Sequence, residues 1–229
     1  MKKMIEAIIE TLKQILGMID EKEPDRPNKK YTEPEFVVVK GVKFKTHGVY
    51  KTSSGQAEGL IVHYTVSNRS RSSAIGVLKY LARKGLGCMV MDEDGIIYVA
   101  ENVNIFKSVA WHAGTSRWKG KTGLSRYCMG IEICNWGKLD SRTKKLVPKP
   151  RKSINKDNIK AGDYQPYTKE QELSLTNLVL WCLENNSEFK IDMVLGHDEI
   201  APSRKSDPGA SLSMSMPKFR TYMKGLVKK

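Results

Sequence analysis

Three apolar runs in this sequence have the composition of buried strands, and each one contains an ionisable residue or leads directly into one. The runs are residues 59–65, 127–134 and 191–195. The first places His63 near a strand end, the second contains Glu132, and the third delivers the chain to His197. Short apolar runs bounded by polar or turn residues favour strands. The sequence therefore predicts that these polar side chains lie in or next to strands.

Amphipathic helices and a hairpin are predicted around these runs. Ser72 and Ser73 are candidate caps for a helix that stops at Gly85. A second helix is predicted over residues 169–185, because its start has the capping-box pattern. The remaining predicted elements are two short strands in residues 36–45, a hairpin over residues 88–99 with DEDG as its turn, and a short helix over residues 217–224.

Glu132 is an unusual residue for its position. Strand alternation places it on the same face as Gly130 and Cys134, which are small and apolar. A carboxylate in an apolar strand is costly unless it is paired or functional. Burial would raise its pKa, and a nearby cation or metal would oppose that change. An edge-strand glutamate facing water is the alternative, but the neighbours of Glu132 favour a functional role.

The segment GHDEIAPSRKSDPG, residues 196–209, contains a second group of reactive side chains. They are His197, Lys205 and Asp207. The proline after Asp207 favours extended backbone, in which residues two apart point the same way, so Lys205 and Asp207 can face one site together. A polar turn with solvated charges is the alternative interpretation.

Combined across the chain, these residues match the parts of a catalytic zinc site. His63, His197 and Asp207 would bind zinc and leave a fourth position for water. Zinc would lower the pKa of that water toward neutrality. Glu132 is then a natural general base, and Lys205 a natural donor to a developing oxyanion. The inferred reaction class is metal-assisted hydrolysis of an acyl compound.

Composition narrows the class of partner. The net charge of +14 favours an anionic partner, such as nucleic acid, anionic lipid or a cell-envelope polymer. Much of this charge lies in a predicted basic insertion, residues 135–167, which leaves the end of the strand that contains Glu132. The four cysteines form no CxxC pair, so a disulfide framework and a cysteine-rich zinc knuckle are not expected. They are interpreted as buried thiols of a protein made in a reducing compartment.

The N-terminal part of the chain differs from the rest in composition. Residues 1–20 are predicted to form an amphipathic helix, residues 21–45 a charged, proline-containing linker or arm, and residues 46–229 the catalytic domain. Glu6 and Glu10 interrupt any signal-peptide core, and no stretch has the length needed to span a bilayer. The helix is expected to dock on the main domain or to pair with a second copy, and binding to a membrane surface is the alternative.

The motifs IVHYT, AWHAG, MGIEICN and GHDEIAPSRKSDPG together resemble a known family. They occur in the order found in zinc-dependent N-acetylmuramoyl-L-alanine amidases of the type 2 amidase and peptidoglycan-recognition-protein superfamily. The resemblance covers roughly residues 59–224. It implies an α/β (α+β) fold with a central mixed β-sheet flanked by helices.

The resemblance also implies roles for individual residues. The positions of His63, His197 and Asp207 match the zinc ligands of the family. Glu132 and Lys205 match the catalytic glutamate and lysine of the branch similar to the bacterial anhydro-muropeptide amidase.

Other motif positions imply contacts with the substrate. His112 falls in the AWHAG motif, which in the family lines the groove without binding metal, and Trp111 and Arg204 are predicted to bind substrate with it. Cys88 replaces a tyrosine that assists catalysis in the branch similar to short phage lysozyme-amidases, so the catalytic burden shifts to Glu132. The sequence SLSMSMP after DPG also departs from the family's aromatic-proline ending, which leaves the groove wall there undefined.

The activity implied by the resemblance is cleavage of the amide between N-acetylmuramic acid and the L-alanine of the peptidoglycan stem peptide. Glu132 would deprotonate the attacking water and return the proton to the leaving amine, while zinc and Lys205 hold the oxyanion. With the positive charge and no recognisable signal peptide, a phage endolysin is favoured, made in the host cytoplasm and acting on the bacterial wall after release. The alternatives are a cytoplasmic muropeptide-recycling amidase, a non-catalytic peptidoglycan-binding module and a metal-dependent nuclease. The nuclease is suggested by charge alone, and no nucleic-acid partner is expected.

Overall fold

The computed structural model describes residues 31–87 and 89–228. The predicted N-terminal helix, residues 1–20, and the Cys88 position lie outside the described residues. None of the helices within these two ranges is long and apolar enough to cross a bilayer.

The described chain contains ten strands and four α-helices. The strands are β1 (Phe36–Val39), β2 (Gly59–Tyr64), β3 (Met89–Met91), β4 (Ile97–Ala100), β5 (Arg117–Trp118), β6 (Lys121–Thr122), β7 (Cys128–Ile133), β8 (Arg151–Ser153), β9 (Gly162–Tyr164) and β10 (Val194–Gly196). The helices are α1 (Arg71–Lys84), α2 (Lys169–Asn185), α3 (His197–Ile200) and α4 (Met216–Val227).

Six of these strands form a central mixed sheet in the order β1-β4-β3-β7-β2-β10. The β3–β4 hairpin is antiparallel, and the other four pairings are parallel. Parallel strands are covered on both faces, which explains why β2 and β7 read as nearly continuous apolar runs. The predicted mixed sheet with flanking helices is therefore confirmed.

The helix ends follow the capping signals of the sequence, with one shift. Helix α1 begins after Ser70, whose side chain accepts the backbone N–H of Ser73, and not after Ser72 or Ser73 as predicted. It stops at Gly85, which has the left-handed φ of 69° that favours glycine. Helix α2 has the predicted capping box, in which Thr168 and Gln171 satisfy each other's backbone N–H groups.

Three local predictions differ from the structure. Only β1 forms in residues 36–45, and because it pairs with β4, the folded domain extends N-terminal of residue 46 into the predicted linker. Residues Ile191–Met193 form a 3-10 turn, so the last strand is β10 alone. The basic insertion is not a bare loop, since it contains a 3-10 turn over Thr143–Leu146 and the β8–β9 hairpin.

The register of the sheet brings the reactive residues together. His63 of β2 pairs with Glu132 of β7, and partners in a parallel ladder point to the same face. Gly196 pairs with Val62, so His197 leaves β10 beside the end of β2. Three neighbouring strands thus deliver three polar side chains to the carboxyl ends of the sheet.

Candidate metal centre and active site

Two histidines and one aspartate converge where β2 and β10 end. His63, His197 and Asp207 are all buried, and their ligand atoms lie within 4.8 Å of one another. Asp207 Oδ2 is 2.8 Å from His63 Nδ1 and 2.9 Å from His197 Nδ1. The sequence therefore identified three residues that the fold brings to one point, although they are separated by up to 144 positions.

The chemistry of this group fits a metal cation. His197 Nε2 donates to the carbonyl of Ala113 at 3.1 Å, so in the neutral ring the lone pair of Nδ1 is directed at Asp207. Burial lowers the pKa of His63 to about 4, against the opposing effect of Asp207, so the His63 ring is neutral near pH 7. Two imidazole nitrogens and a carboxylate oxygen are the donor set of catalytic zinc sites that keep one position open.

The opening beside these ligands is a polar cavity of about 310 Å³. Its walls include Glu132 and Lys205 in addition to the three candidate ligand residues. The carboxyl group of Glu132 and the amino group of Lys205 thus line the same cavity as the candidate metal-binding residues. These are the residue types required for proton transfer and for stabilising an oxyanion.

The position of Glu132 changes its acidity. Burial and the negative charge of Asp207 raise its pKa, against the opposing effect of the Lys205 ammonium, to about 8. A carboxyl group with a pKa near neutrality can both accept and return a proton during one reaction. Glu132 faces the cavity, and the alternative of an edge-strand glutamate is excluded because β7 lies between β3 and β2.

The segment that contains Lys205 and Asp207 is fixed from two sides. The hydroxyls of Tyr64 and Ser206 are 2.6 Å apart, which ties the middle of this segment to the end of β2. The backbone N–H of Asp198, in α3, donates to the carbonyl of Asp207 at 2.7 Å. Tyr64 and Ser206 also line the cavity, and the sequence interpretation missed both. The position of Tyr64 directly after the candidate ligand His63 was the only sequence signal for Tyr64.

The three predicted substrate-binding residues occupy different places. His112 lines the metal-site cavity. Arg204 lines that cavity and a second one of about 410 Å³, and its guanidinium donates to the carbonyls of Ala113 and Thr115. Trp111 is 42% exposed and lines a third cavity of about 260 Å³, which it shares with His47.

A family model described as N-acetylmuramoyl-L-alanine amidase matches residues 53–210. The chain is 27% identical over 130 residues to the 1,6-anhydro-N-acetylmuramyl-L-alanine amidase AmpD of Haemophilus influenzae, a match that covers 57% of this chain and 54% of the relative. It is 31% identical over 103 residues to the N-acetylmuramoyl-L-alanine amidase AmiD of Escherichia coli, covering 45% of this chain and 31% of the relative. This chain thus matches about half or less of these curated relatives.

A solved structure shares the same fold. It is the endolysin N-acetylmuramoyl-L-alanine amidase LysCS from Clostridium intestinale, with a TM-score of 0.52 and 17% identity. The match covers 84% of this chain and 97% of that structure. At this identity the likeness concerns the arrangement of the sheet and its helices.

Proposed function

Because this chain belongs to the N-acetylmuramoyl-L-alanine amidase family, we propose that it hydrolyses the amide between N-acetylmuramic acid and L-alanine in peptidoglycan. The proposal includes a zinc ion held by His63, His197 and Asp207. The observation that carries it is the single cavity in which these ligand residues meet Glu132 and Lys205.

Glu132 and Lys205 have different roles in the proposed reaction. When bound, zinc would supply a water activated near neutral pH and polarise the scissile carbonyl. Glu132 takes the proton of the attacking water as the new C–O bond forms. Lys205 donates a hydrogen bond to the developing oxyanion. Glu132 then gives its proton to the leaving L-alanine nitrogen as the C–N bond breaks, so its protonation state is restored.

Arg204 has a position suited to holding the substrate. Its guanidinium lies between the metal-site cavity and the 410 Å³ cavity, so it can contact a substrate that extends from one to the other. The Arg204 guanidinium also donates to the carbonyl of Ala113, which accepts from His197 as well. Arg204 therefore helps to hold the carbonyl that positions His197. Trp111 would contact a more distant part of the substrate from its own cavity.

As the biological setting, we propose a phage endolysin that is made in the host cytoplasm and acts on the wall after release. The net charge of +14 supports this, since the wall and its attached polymers are anionic. Affinity for purified walls should fall as salt is raised, and an affinity indifferent to ionic strength would remove this support.

A recycling amidase is the second candidate, favoured by the similarity to AmpD of Haemophilus influenzae, a 1,6-anhydro-N-acetylmuramyl-L-alanine amidase. The two candidates differ in substrate size. An endolysin should cleave intact sacculi, whereas a recycling enzyme should cleave soluble anhydro-muropeptides and leave sacculi intact.

The decisive experiment digests sacculi and soluble muropeptides with and without a chelator and identifies the new ends. We expect new L-alanine amino groups, formed only without chelator. New reducing sugars would mean a glycosidase. Binding to the wall without any cleavage would mean a non-catalytic module, and digestion of DNA or RNA instead would mean a nuclease.

A further inference from the structure

The loop that contains His112 contacts both candidate ligand histidines on the side away from Asp207. The Nδ1 atom of His112 is 3.0 Å from Nε2 of His63. The carbonyl of the next residue, Ala113, is 3.1 Å from Nε2 of His197. His112 is therefore the hydrogen-bond partner of Nε2 in His63, and the carbonyl of Ala113 is the partner of Nε2 in His197. Each partner lies on the side of the imidazole away from Asp207.

The direction of the His112 hydrogen bonds follows from their ends. His112 Nε2 is 2.8 Å from the backbone carbonyl of Cys128, and a carbonyl only accepts, so Nε2 carries the hydrogen. In a neutral ring Nδ1 is then an acceptor. This acceptor, His112 Nδ1, forms a hydrogen bond with His63 only if the hydrogen of the His63 ring is on Nε2. The lone pair of His63 Nδ1 is then directed at Asp207 Oδ2.

We propose that His112 is a positioning residue that fixes the ring orientation and the tautomer of His63 for metal binding, in place of the substrate contact expected from its motif. Both ring nitrogens of His112 are already used within the protein, so neither is free for a substrate. The rings of His63 and His112 are nearly perpendicular, at 87°, which lets Nε2–H of one point along the lone pair of the other. This inference rests on the metal site proposed above.

The surroundings of His112 are built to hold its ring in this place. A Cβ at Gly130 of β7 would lie 2.7 Å from Cγ and Nδ1 of His112, so only glycine leaves room for the ring against the strand. The buried hydroxyl of Ser125 accepts the backbone N–H groups of His112 and Ala113, at 3.2 and 3.0 Å. The same two contacts therefore fix the loop that serves both histidines.

The test compares zinc affinities by competition with a chromophoric chelator. His112→Leu removes the acceptor and should weaken zinc binding by about 10–100-fold, the usual cost of losing an outer partner of a ligand histidine. His112→Gln keeps one acceptor and one donor and should recover most of the affinity. His47→Leu is the matched control, because His47 lies outside the metal-site cavity, and it should bind zinc as the wild type does.

A second measurement needs no variant and separates positioning from a merely structural role. In the zinc-loaded wild type, nitrogen NMR should detect a proton on His63 Nε2 and a coupling across its hydrogen bond to His112 Nδ1. Zinc affinity unchanged in His112→Leu, or a His63 ring with no proton on Nε2, would overturn the inference. Wild-type protein that binds no zinc would instead refute the metal site itself, so the two failures are distinguishable.

Discussion

Adjacent residues of one loop line two histidine-containing cavities that differ in chemistry. His112 faces the metal-site cavity, whereas Trp111 faces the cavity that contains His47. The described residues lining the His47 cavity include no carboxylate, and its ionisable groups besides His47 are Lys51 and Arg126. The metal-site cavity instead combines two buried imidazoles with Asp207 and Glu132.

An imidazole beside an aromatic ring does not by itself form a candidate metal site. His47 is exposed and lies edge-on to Trp111, with ring centroids 6.2 Å apart. His63 is buried, has Asp207 at Nδ1 and has His112 at Nε2. A ligand histidine needs a defined partner at each nitrogen, because one nitrogen must present a lone pair and the other must be held.

The largest effect is expected from Asp207→Asn, which removes the negative charge from the ligand group. Zinc content should fall, and activity should drop to the level of chelator-treated protein. Asp198→Asn is the matched control, because Asp198 is also buried but makes its hydrogen bond to the backbone N–H of Gly209 and not to a histidine. Full zinc content in Asp207→Asn would remove the distinction between the two cavities.

Glu132→Gln should separate metal binding from catalysis. The amide cannot accept the proton of the attacking water, so kcat should fall by about 10²–10⁴-fold while one zinc per chain is retained. Zinc content and kcat measured on the same preparation check this. A variant with bound zinc and unchanged kcat would contradict the assignment of Glu132 as the base.

Lys205→Met keeps the length of the side chain and removes its charge. Loss of an oxyanion donor should lower kcat by about 10²–10³-fold and leave the zinc content unchanged. Lys160→Met, in the basic insertion, is the control. The ammonium of Lys160 donates to the backbone carbonyl of Ser203, and Lys160 does not line the metal-site cavity. Equal losses in both variants would mean that overall charge matters and that position does not.

The acidity of Glu132 should appear in the pH dependence of folding. Burial raises its pKa from 4.5 to about 8, so the folded state binds this proton more tightly than the unfolded state. The stabilisation of the folded state by protonated Glu132 is complete below the pKa of Glu132 in the unfolded chain. It is lost as the pH rises through the pKa of Glu132 in the folded protein. As the pH rises from 4.5 to about 8, the free energy of unfolding of the metal-free wild type should therefore fall relative to that of Glu132→Gln. The slope of this difference should be about 1.4 kcal/mol per pH unit. Urea unfolding of both proteins in chelator measures this, and a flat difference would contradict the burial of an ionisable Glu132.

The smallest effect is expected from substitutions in the cavity that Trp111 shares with His47. Trp111→Ala should leave zinc content and kcat unchanged and raise KM by about fivefold, the equivalent of roughly 1 kcal/mol of aromatic contact. His47→Ala should change neither constant. A large fall in kcat for Trp111→Ala would mean that the two cavities act as one site.

Much of the fold and of the site could be predicted from the sequence, because the informative residues are attached to strong local signals. His63, Glu132 and His197 follow or interrupt apolar strands, and the capping box of α2 fixes its start. The convergence of His63, His197 and Asp207, the three candidate ligands, was predicted from residue chemistry and motif order together. The structure supplies the register that brings them to one edge of the sheet.

The remainder depended on contacts between distant segments, which leave no periodic pattern. The contact of His112 with His63 depends on the space left by Gly130, in another strand. The bond of Tyr64 to Ser206 joins residues 142 positions apart. The separation of Trp111 from His112 follows from the path of one loop, which adjacent letters in a motif cannot reveal.

The most direct test of the account is a crystal structure of the zinc-loaded protein with anomalous scattering recorded at the zinc edge. We predict one strong anomalous peak per chain, bonded to Nδ1 of His63, Nδ1 of His197 and a carboxylate oxygen of Asp207, and facing Glu132 and Lys205. A peak at any other place, or coordination through Nε2 of either histidine, would contradict both the metal centre and the outer hydrogen bonds assigned to it.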